Sequence, residues 1–238
     1  MTALSVIQDT CAWLALPIPT AVFSSTDAQV IQLRSLLNEE GVELRKWPDH
    51  NWRKLTKQKT FDTVAAEVQT SAIPADFDYY INDTMWDRTT IRQVIGPLNP
   101  QDWQREKAGP TFTSVYYGMR FRGNDLLLTP TPTAGDDIYY EYSSTYWVCA
   151  SGSETPTKAA ATVDTDTFVF PETILSRGVR WRFLRAKGLD YAEEFARWTD
   201  MVQTEVARDG GAAKLNAGSN FPESRMLPNI PEGNWPSS

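Results

Sequence analysis

The spacing of apolar residues changes twice along this chain, and the change limits the folds open to it. Leu4, Ile7, Cys11 and Leu14 recur at steps of three and four, so residues 3 to 15 are expected to form a helix with one apolar stripe, stopped by Pro17 and Pro19. A second helix is expected from Thr26, with Gln29 placed for a capping box. Val30, Leu33, Leu37 and Leu44 lie on its inner face, and Gly41 on the same side leaves room for a neighbouring backbone to come close. From about Lys59 to Phe170 the helical period gives way to short runs rich in Thr, Tyr, Val and Ile, which read as strands. After Pro171 it returns: "ETILSRGVRWRFLRAK" ends at Gly188, and a further helix follows with Asp190 as its cap. Tyr191, Phe195, Trp198, Val202 and Val206 form the stripe of that helix, and Gly210-Gly211 end it.

Helices at both ends and strands between them point to an α+β fold. The expected organisation has N-terminal helices over residues 1–58, an inserted antiparallel β-rich region over 59–170, and C-terminal helices over 171–211 that complete a helical bundle with the first pair. Within the insertion, "GMRFRGNDLLLTP" has the form of a hairpin turning at Gly123-Asn124, and "DDIYYEYSSTYWVC" places Ile138, Tyr140 and Tyr142 on one face. Asn99 and Pro100 open a short helix. Residues 151–166 read as an exposed loop or hairpin tip. Residues 212–238 have no period, yet carry Phe221, Met226, Leu227, Ile230 and Trp235, which suits an extended C-terminal arm that docks on another surface.

Several classes of function find no support. A formal charge of -7 argues against a general nucleic-acid binder. Cys11 and Cys149 lack disulfide-framework or zinc spacing and read as small buried hydrophobes. The opening residues do not resemble a signal peptide, and no apolar run approaches the roughly 18 residues of a membrane span. His50 is the single histidine, which removes two-His metal patterns, and its polar neighbours suit a packing or surface role. No phosphate-binding glycine motif and no nucleophile elbow occurs. Spaced acids such as Asp76, Asp78, Asp83 and Asp87 can hold a cation, but turn hydrogen bonding at Asp76 and Asp78 and pairing of Asp83 and Asp87 with Arg88 and Arg92 are the expected roles. Glu39 and Glu40 read as a solvated helix face. The chain is therefore expected to have no catalytic residue, metal or cofactor.

The acidic chain nevertheless gathers Arg177, Arg180, Arg182, Arg185 and Lys187 around Trp181 in "ILSRGVRWRFLRAKG". On a helical wheel Leu175, Val179, Phe183 and Ala186 share a face, with Ile174 and Trp181 on another. Arg182 and Arg185 fill one gap, while Arg177, Arg180 and Lys187 spread over the opposite side. The cations form no single stripe. A helix apolar over so much of its circumference is enclosed by protein, and its arginines are expected to bond carboxylates within the chain or at a subunit interface. Direct DNA contact and a plain solvated face are the alternatives.

"IPADFDYYINDTMWDR", "IGPLNPQDW", "FRGNDLLLTPTP", "YYEYSSTYWV" and "FPETILSRGVRWRFLRAKGLDYAEEFARWTDMV", with the two leading helices, resemble bacteriophage head-to-tail adaptor (neck) proteins. The similarity is to the tail tubular protein A type of short-tailed phages and covers roughly residues 1 to 210. It implies a structural virion protein assembled in the host cytoplasm. It further implies a dodecameric ring beneath the portal protein, contacts with tail nozzle or fibre proteins, and genomic DNA passing through without sequence-specific binding. It implies no enzyme activity, no cofactor and no membrane. Under this resemblance the arm residues Phe221, Met226, Leu227, Ile230 and Trp235 would reach the portal. Two other functions fit the residues: a carbohydrate-type aromatic sheet built on Tyr116, Tyr117, Tyr139, Tyr140, Tyr142, Tyr146 and Trp147, and a DNA-binding regulator using residues 177 to 187.

Overall fold

A computed structural model describes residues 2–48, 50–108 and 116–210. Among these are five helices, α1 (Ala3–Trp13), α2 (Ala28–Arg45), α3 (Pro100–Ala108), α4 (Glu172–Ala186) and α5 (Ala192–Gly210). The strands are β1 (Thr56–Asp62), β2 (Val68–Gln69), β3 (Phe77–Tyr80), β4 (Trp86–Asp87), β5 (Arg92–Gln93), β6 (Gly118–Arg122), β7 (Asp125–Thr129), β8 (Asp137–Ser144), β9 (Val148–Cys149), β10 (Pro156–Lys158) and β11 (Thr167–Phe168). Helices and antiparallel sheets in one chain make the α+β class.

Helix starts follow the strongest available acceptor. Thr2 and Ser5 cap α1 reciprocally, with the Ser5 N–H donating to Thr2 Oγ1 at 3.3 Å and the Thr2 N–H to Ser5 Oγ at 2.9 Å. Helix α2 begins later than the Thr26 start expected: Asp27 Oδ1 accepts the Gln29 N–H at 2.8 Å, a carboxylate serving where a hydroxyl was assigned. Asn99 caps α3 through the Asp102 N–H at 2.8 Å, and Gly188 follows α4 at φ +70°, both as the sequence indicates.

The described residues fall into two compact units. One comprises the residues up to Thr56 together with Ser144 to Gly210; the other comprises Lys57 to Ser143. Each has its own apolar core.

In the first unit α4 packs against α1, α2 and α5. Val6, Ile7, Cys11, Leu33, Leu37, Leu44, Leu175, Val179 and Val202 fill the space between them. The segment after Ser144, counted with the β-rich stretch in the sequence, contributes a small sheet in the order β10-β9-β11 to this unit. Its Trp147 stacks on Phe168 at 5.4 Å and donates from Nε1 to the Ala159 carbonyl at 2.6 Å. Gly41 of α2 is bare because a Cβ there would occupy the Trp147 ring; the close neighbour is an indole rather than a backbone.

Residues 151–155 form the exposed tip of the antiparallel β9–β10 hairpin, as the sequence indicates, whereas the stretch from Pro156 to Asp166 is tied down. Asp166 is buried and binds Lys158 Nζ at 2.7 Å and the Thr162 and Val163 N–H groups at 2.8 and 3.1 Å. Burial opposes its charge, but Lys158 and those amides outweigh it and hold the carboxyl below its ordinary value. Asp164 Oδ1 accepts the N–H groups of Val22 and Phe23, both at 2.9 Å. A polar stretch with no hydrophobic period is thus fixed by the buried Asp166 and the half-buried Asp164, a signal invisible to periodicity.

In the second unit β8 is central to a sheet in the order β1-β8-β4-β5, and β3 also pairs with β8; a separate sheet runs β2-β7-β6. Ile138, Tyr140 and Tyr142 face the core together, as their alternation indicates. The β6–β7 hairpin turns at Gly123, φ +62°, with Arg122 opposite Asp125. The stretch around "TFDTVAAEV" is not one strand: it is divided between β1 and β2.

Candidate functional site

The cations of α4 separate by depth. Arg182, 5% exposed, points at α2, where Glu39, Glu40 and Glu43 lie on adjacent turns. Its Nε donates to Glu40 Oε2 at 2.8 Å, its Nη2 to Glu43 Oε2 at 2.5 Å, and its Nη1 reaches Glu39 Oε1 at 3.4 Å. Glu40 is 0% exposed, and its other oxygen accepts Trp198 Nε1–H of α5 at 2.6 Å. One carboxylate therefore ties α2, α4 and α5. The reading of Glu40 as solvated is corrected: Glu39 and Glu43 keep water, while Glu40 faces inward with Leu33, Leu37 and Leu44. Gly178 makes this possible, because a Cβ there would fall on the Glu40 carboxylate.

The two partners respond differently to burial. Loss of water dominates at Glu40 and lifts its carboxyl to about 7, although Arg182 and Trp198 oppose the rise. Burial also opposes the Arg182 charge, but the Glu43 and Glu40 carboxylates outweigh it and hold the guanidinium above its ordinary value.

The remaining cations lie nearer the surface. Arg177 reaches Glu194 Oε2 of α5 at 3.4 Å. Arg180 lies over the exposed Trp13 ring at 5.2 Å, and burial together with Arg177 holds its guanidinium below its ordinary value. Arg185 and Lys187 are exposed, and Lys187 Nζ sits 5.1 Å from the Phe183 ring. Trp181 is 4% exposed and meets Phe195 at 5.1 Å and Trp198 at 5.6 Å. Intrachain carboxylate pairing thus accounts for Arg182 and Arg177. The arm residues Phe221, Met226, Leu227, Ile230 and Trp235 lie outside the described residues.

The other candidates resolve into packing. His50 Nε2 meets Asp209 Oδ2 at 3.1 Å, and its ring stands edge-on to Trp52 at 4.7 Å. Asp209 also accepts the Arg53 N–H at 2.9 Å; although burial opposes the charge, these donors hold its carboxyl low. Asp76 binds Lys57 Nζ at 2.7 Å and the Tyr142 hydroxyl at 2.9 Å. Asp87 caps a turn through the N–H groups of Thr89 and Thr90, while Arg88 lies over Tyr139 at 3.5 Å. Among the described residues no group of three or more His, Cys, Asp and Glu is placed to hold a metal, and no helix is long and apolar enough to cross a membrane. Cys11 and Cys149 are buried and form no disulfide, as read from the sequence. Tyr140, Tyr142 and Trp147 are buried in cores, so the proposed aromatic platform is not an exposed surface.

The sequence reading missed Glu40 and Trp198. The available signal was the run "NEEGVE" in α2, whose three acids offer partners to the basic α4 and whose glycine marks tight packing.

Fold and site together define a protein of the α+β class whose most concentrated charge joins its own helices. The family model of the SU10 adaptor protein matches residues 1–221, and the chain belongs to that family. It is accordingly a phage structural adaptor and a virion component. Among curated proteins none matches the chain. The resemblance to phage adaptors stated from the sequence agrees with this membership.

Proposed function

We propose that the chain is the repeating subunit of a head-to-tail adaptor ring that joins the portal protein to the tail nozzle and extends the DNA channel. The ring is dodecameric, as in the short-tailed phage type, and sits at the neck of the virion after assembly in the host cytoplasm. The observation that carries this reading is the family match over residues 1–221. The division of the α4 cations supports it. Arg182, backed by Trp181, and Arg177, paired with Glu194, stiffen the subunit from within, while Arg180, Arg185 and Lys187 stand nearer the surface, where a neighbouring subunit's carboxylates can meet them. The arm residues Phe221, Met226, Leu227, Ile230 and Trp235 attach the subunit to the portal, and nozzle or fibre proteins bind the opposite end. DNA slides through without sequence-specific contact, and a net charge of -7 suits a lumen that must not hold it by counterion release.

Electron microscopy of the chain mixed with its portal tests this reading. A closed ring of adaptor density on the portal is expected; a chain that never joins the portal at any concentration overturns it. The regulator alternative is weaker because Arg177 and Arg182 are engaged by carboxylates and are not free to meet phosphates.

A further inference from the structure

Helix α4 is held from several directions, and one side of it stays open. Arg182 and Gly178 turn toward Glu40 of α2, Trp181 toward Phe195 and Trp198 of α5, and Arg180 lies over the Trp13 ring of α1 at 5.2 Å. Arg180, Leu184 and Lys187 follow at steps of four and three, so they share a stripe. That stripe lies roughly 140–200° around the helix from Arg182, at about 100° per residue, on the side that α2 does not cover. Arg180 and Leu184 are half-buried, Lys187 is exposed, and the Trp13 ring beside them is 47% exposed. Neither Arg180 nor Lys187 forms an ion pair with a described residue, and the Arg180 Nε is buried without a hydrogen-bond partner. Burial and the neighbouring Arg177 hold the Arg180 guanidinium below its ordinary value, against the pull of Glu194 and Asp9. A carboxylate from outside would complete what the chain itself leaves poorly paired.

Helix α2 presents the opposite charge. Ile31, Ser35, Glu39 and Glu43 follow at steps of four along its exposed side, with Ile31 40% and the Glu39 side chain 55% open to water. Arg182 engages both oxygens of Glu43 but only Oε1 of Glu39, at 3.4 Å, so Glu39 Oε2 has no partner among the described residues. Because α2 packs on the side of α4 away from Lys187, the acidic and basic stripes do not meet within one chain. Two different patches that fit each other between copies make a heterologous contact, the kind that generates rings. Their spacing agrees as well. Lys187 and Arg180 are seven residues apart, about 10 Å at ~1.5 Å per residue, and Glu39 and Ile31 are eight apart, about 12 Å. With Lys187 set against Glu39 and the two helices parallel, Ile31 falls at the level of Arg180, against the exposed Trp13 ring. Asp27, exposed and one turn further along, then lies on the Arg180 side.

We propose that adjacent copies of this chain join through these two stripes, with Trp13, Arg180 and Lys187 of one copy against Ile31, Asp27 and Glu39 of the next. The apolar pair excludes water at the centre of the contact, and the charges on either side fix its register. The inference rests on the ring reading and names the two surfaces that meet in it.

The test mixes isotopically light and heavy full-length chain, assembles the mixture on the portal, checks for rings by electron microscopy, and treats them with a carbodiimide, which joins an amine to a carboxylate in contact with it. Mass spectrometry of the digest should find Lys187 joined to Glu39 or Glu43 in light–heavy pairs, which mark a link between copies. Rings in which Lys187 gives no such pair, or is joined only to the portal or to its own chain, overturn this contact and leave the ring reading standing. Failure to form rings overturns the ring reading, and this contact with it. A charge swap adds a second readout. Lys187→Glu should lower the yield of rings several-fold, and adding Glu39→Lys to the same chain should restore it, since Arg182 keeps Glu40 and Glu43. A ring yield indifferent to Lys187→Glu overturns the role given to Lys187.

Discussion

Two side chains set the chain's behaviour at the scale of single residues. Glu40 is buried with its charge shared between Arg182 and Trp198. Glu40→Ala removes one partner of a buried pair and leaves an indole donor without an acceptor, so a loss of about 3–5 kcal/mol is expected from denaturant unfolding. The same carboxyl gives a pH dependence of defined sign. Its value rises from an ordinary 4.5 to about 7 on folding, so between those limits the folded chain binds more protons than the unfolded one. Stability from Glu40 is therefore greatest below pH 4.5, falls as pH rises to 7, and is level above that. Urea midpoints across this window should decline in the native chain relative to Glu40→Gln. Asp166 and Asp209, held low, act elsewhere: their contribution is present above the ordinary 3.8 and is lost as pH falls through their lowered folded values. Ile91 is the second such residue. It is exposed at φ 55° beside the Asp87 turn, a conformation that a β-branched residue adopts only under strain. Ile91→Asn should raise stability by about 1 kcal/mol in thermal unfolding, because asparagine tolerates that backbone region.

At the scale of elements, glycine marks where helices touch. Gly178→Ala would normally favour a helix by about 1 kcal/mol. Here the added methyl meets the Glu40 carboxylate, so the substitution should instead destabilise by about 1–3 kcal/mol, read as a lower denaturant midpoint with an unchanged slope. A stabilised Gly178→Ala chain would mean that α2 and α4 do not approach as closely as this contact requires. Elements of this kind show how far the sequence is legible. The stripes of α1, α2 and α5 and the alternation in β8 are visible because burial imposes a period of 3.6 or 2. The β6–β7 turn is visible because Gly123 takes a positive φ. The packing of residues 156–168 is not, since it depends on Asp164 and Asp166 meeting distant amides, and such contacts leave no local pattern. Of the candidate site, the wheel revealed that the α4 cations lie on several sides of an enclosed helix. It could not show that Arg182 points to Glu40, because pairing across 142 residues depends on which helix faces α4.

At the scale of the whole molecule, the described residues form two cores joined by two crossings of the chain. The crossings lie side by side: the Ser144 N–H donates to the Leu55 carbonyl at 2.9 Å, so the chain leaves and re-enters the helical unit at one place. No buried apolar residue of the helical core comes from the Lys57–Ser143 stretch. An insertion with adjacent ends can be removed without pulling the host apart, because the loop that replaces it costs little closure entropy. Replacing residues 57–143 with about three glycine and serine residues should therefore leave a helical unit that unfolds cooperatively. Its near-ultraviolet circular dichroism should retain the signal of Trp52, Trp147, Trp181 and Trp198, all of which lie in that core. The excised 57–143 segment should fold on its own account around Tyr140, Met119 and Leu128. A shortened chain that keeps its helicity but loses the tryptophan signal would show that the helical core needs the inserted unit to pack. The two cores would then be one cooperative system rather than a host and its insertion.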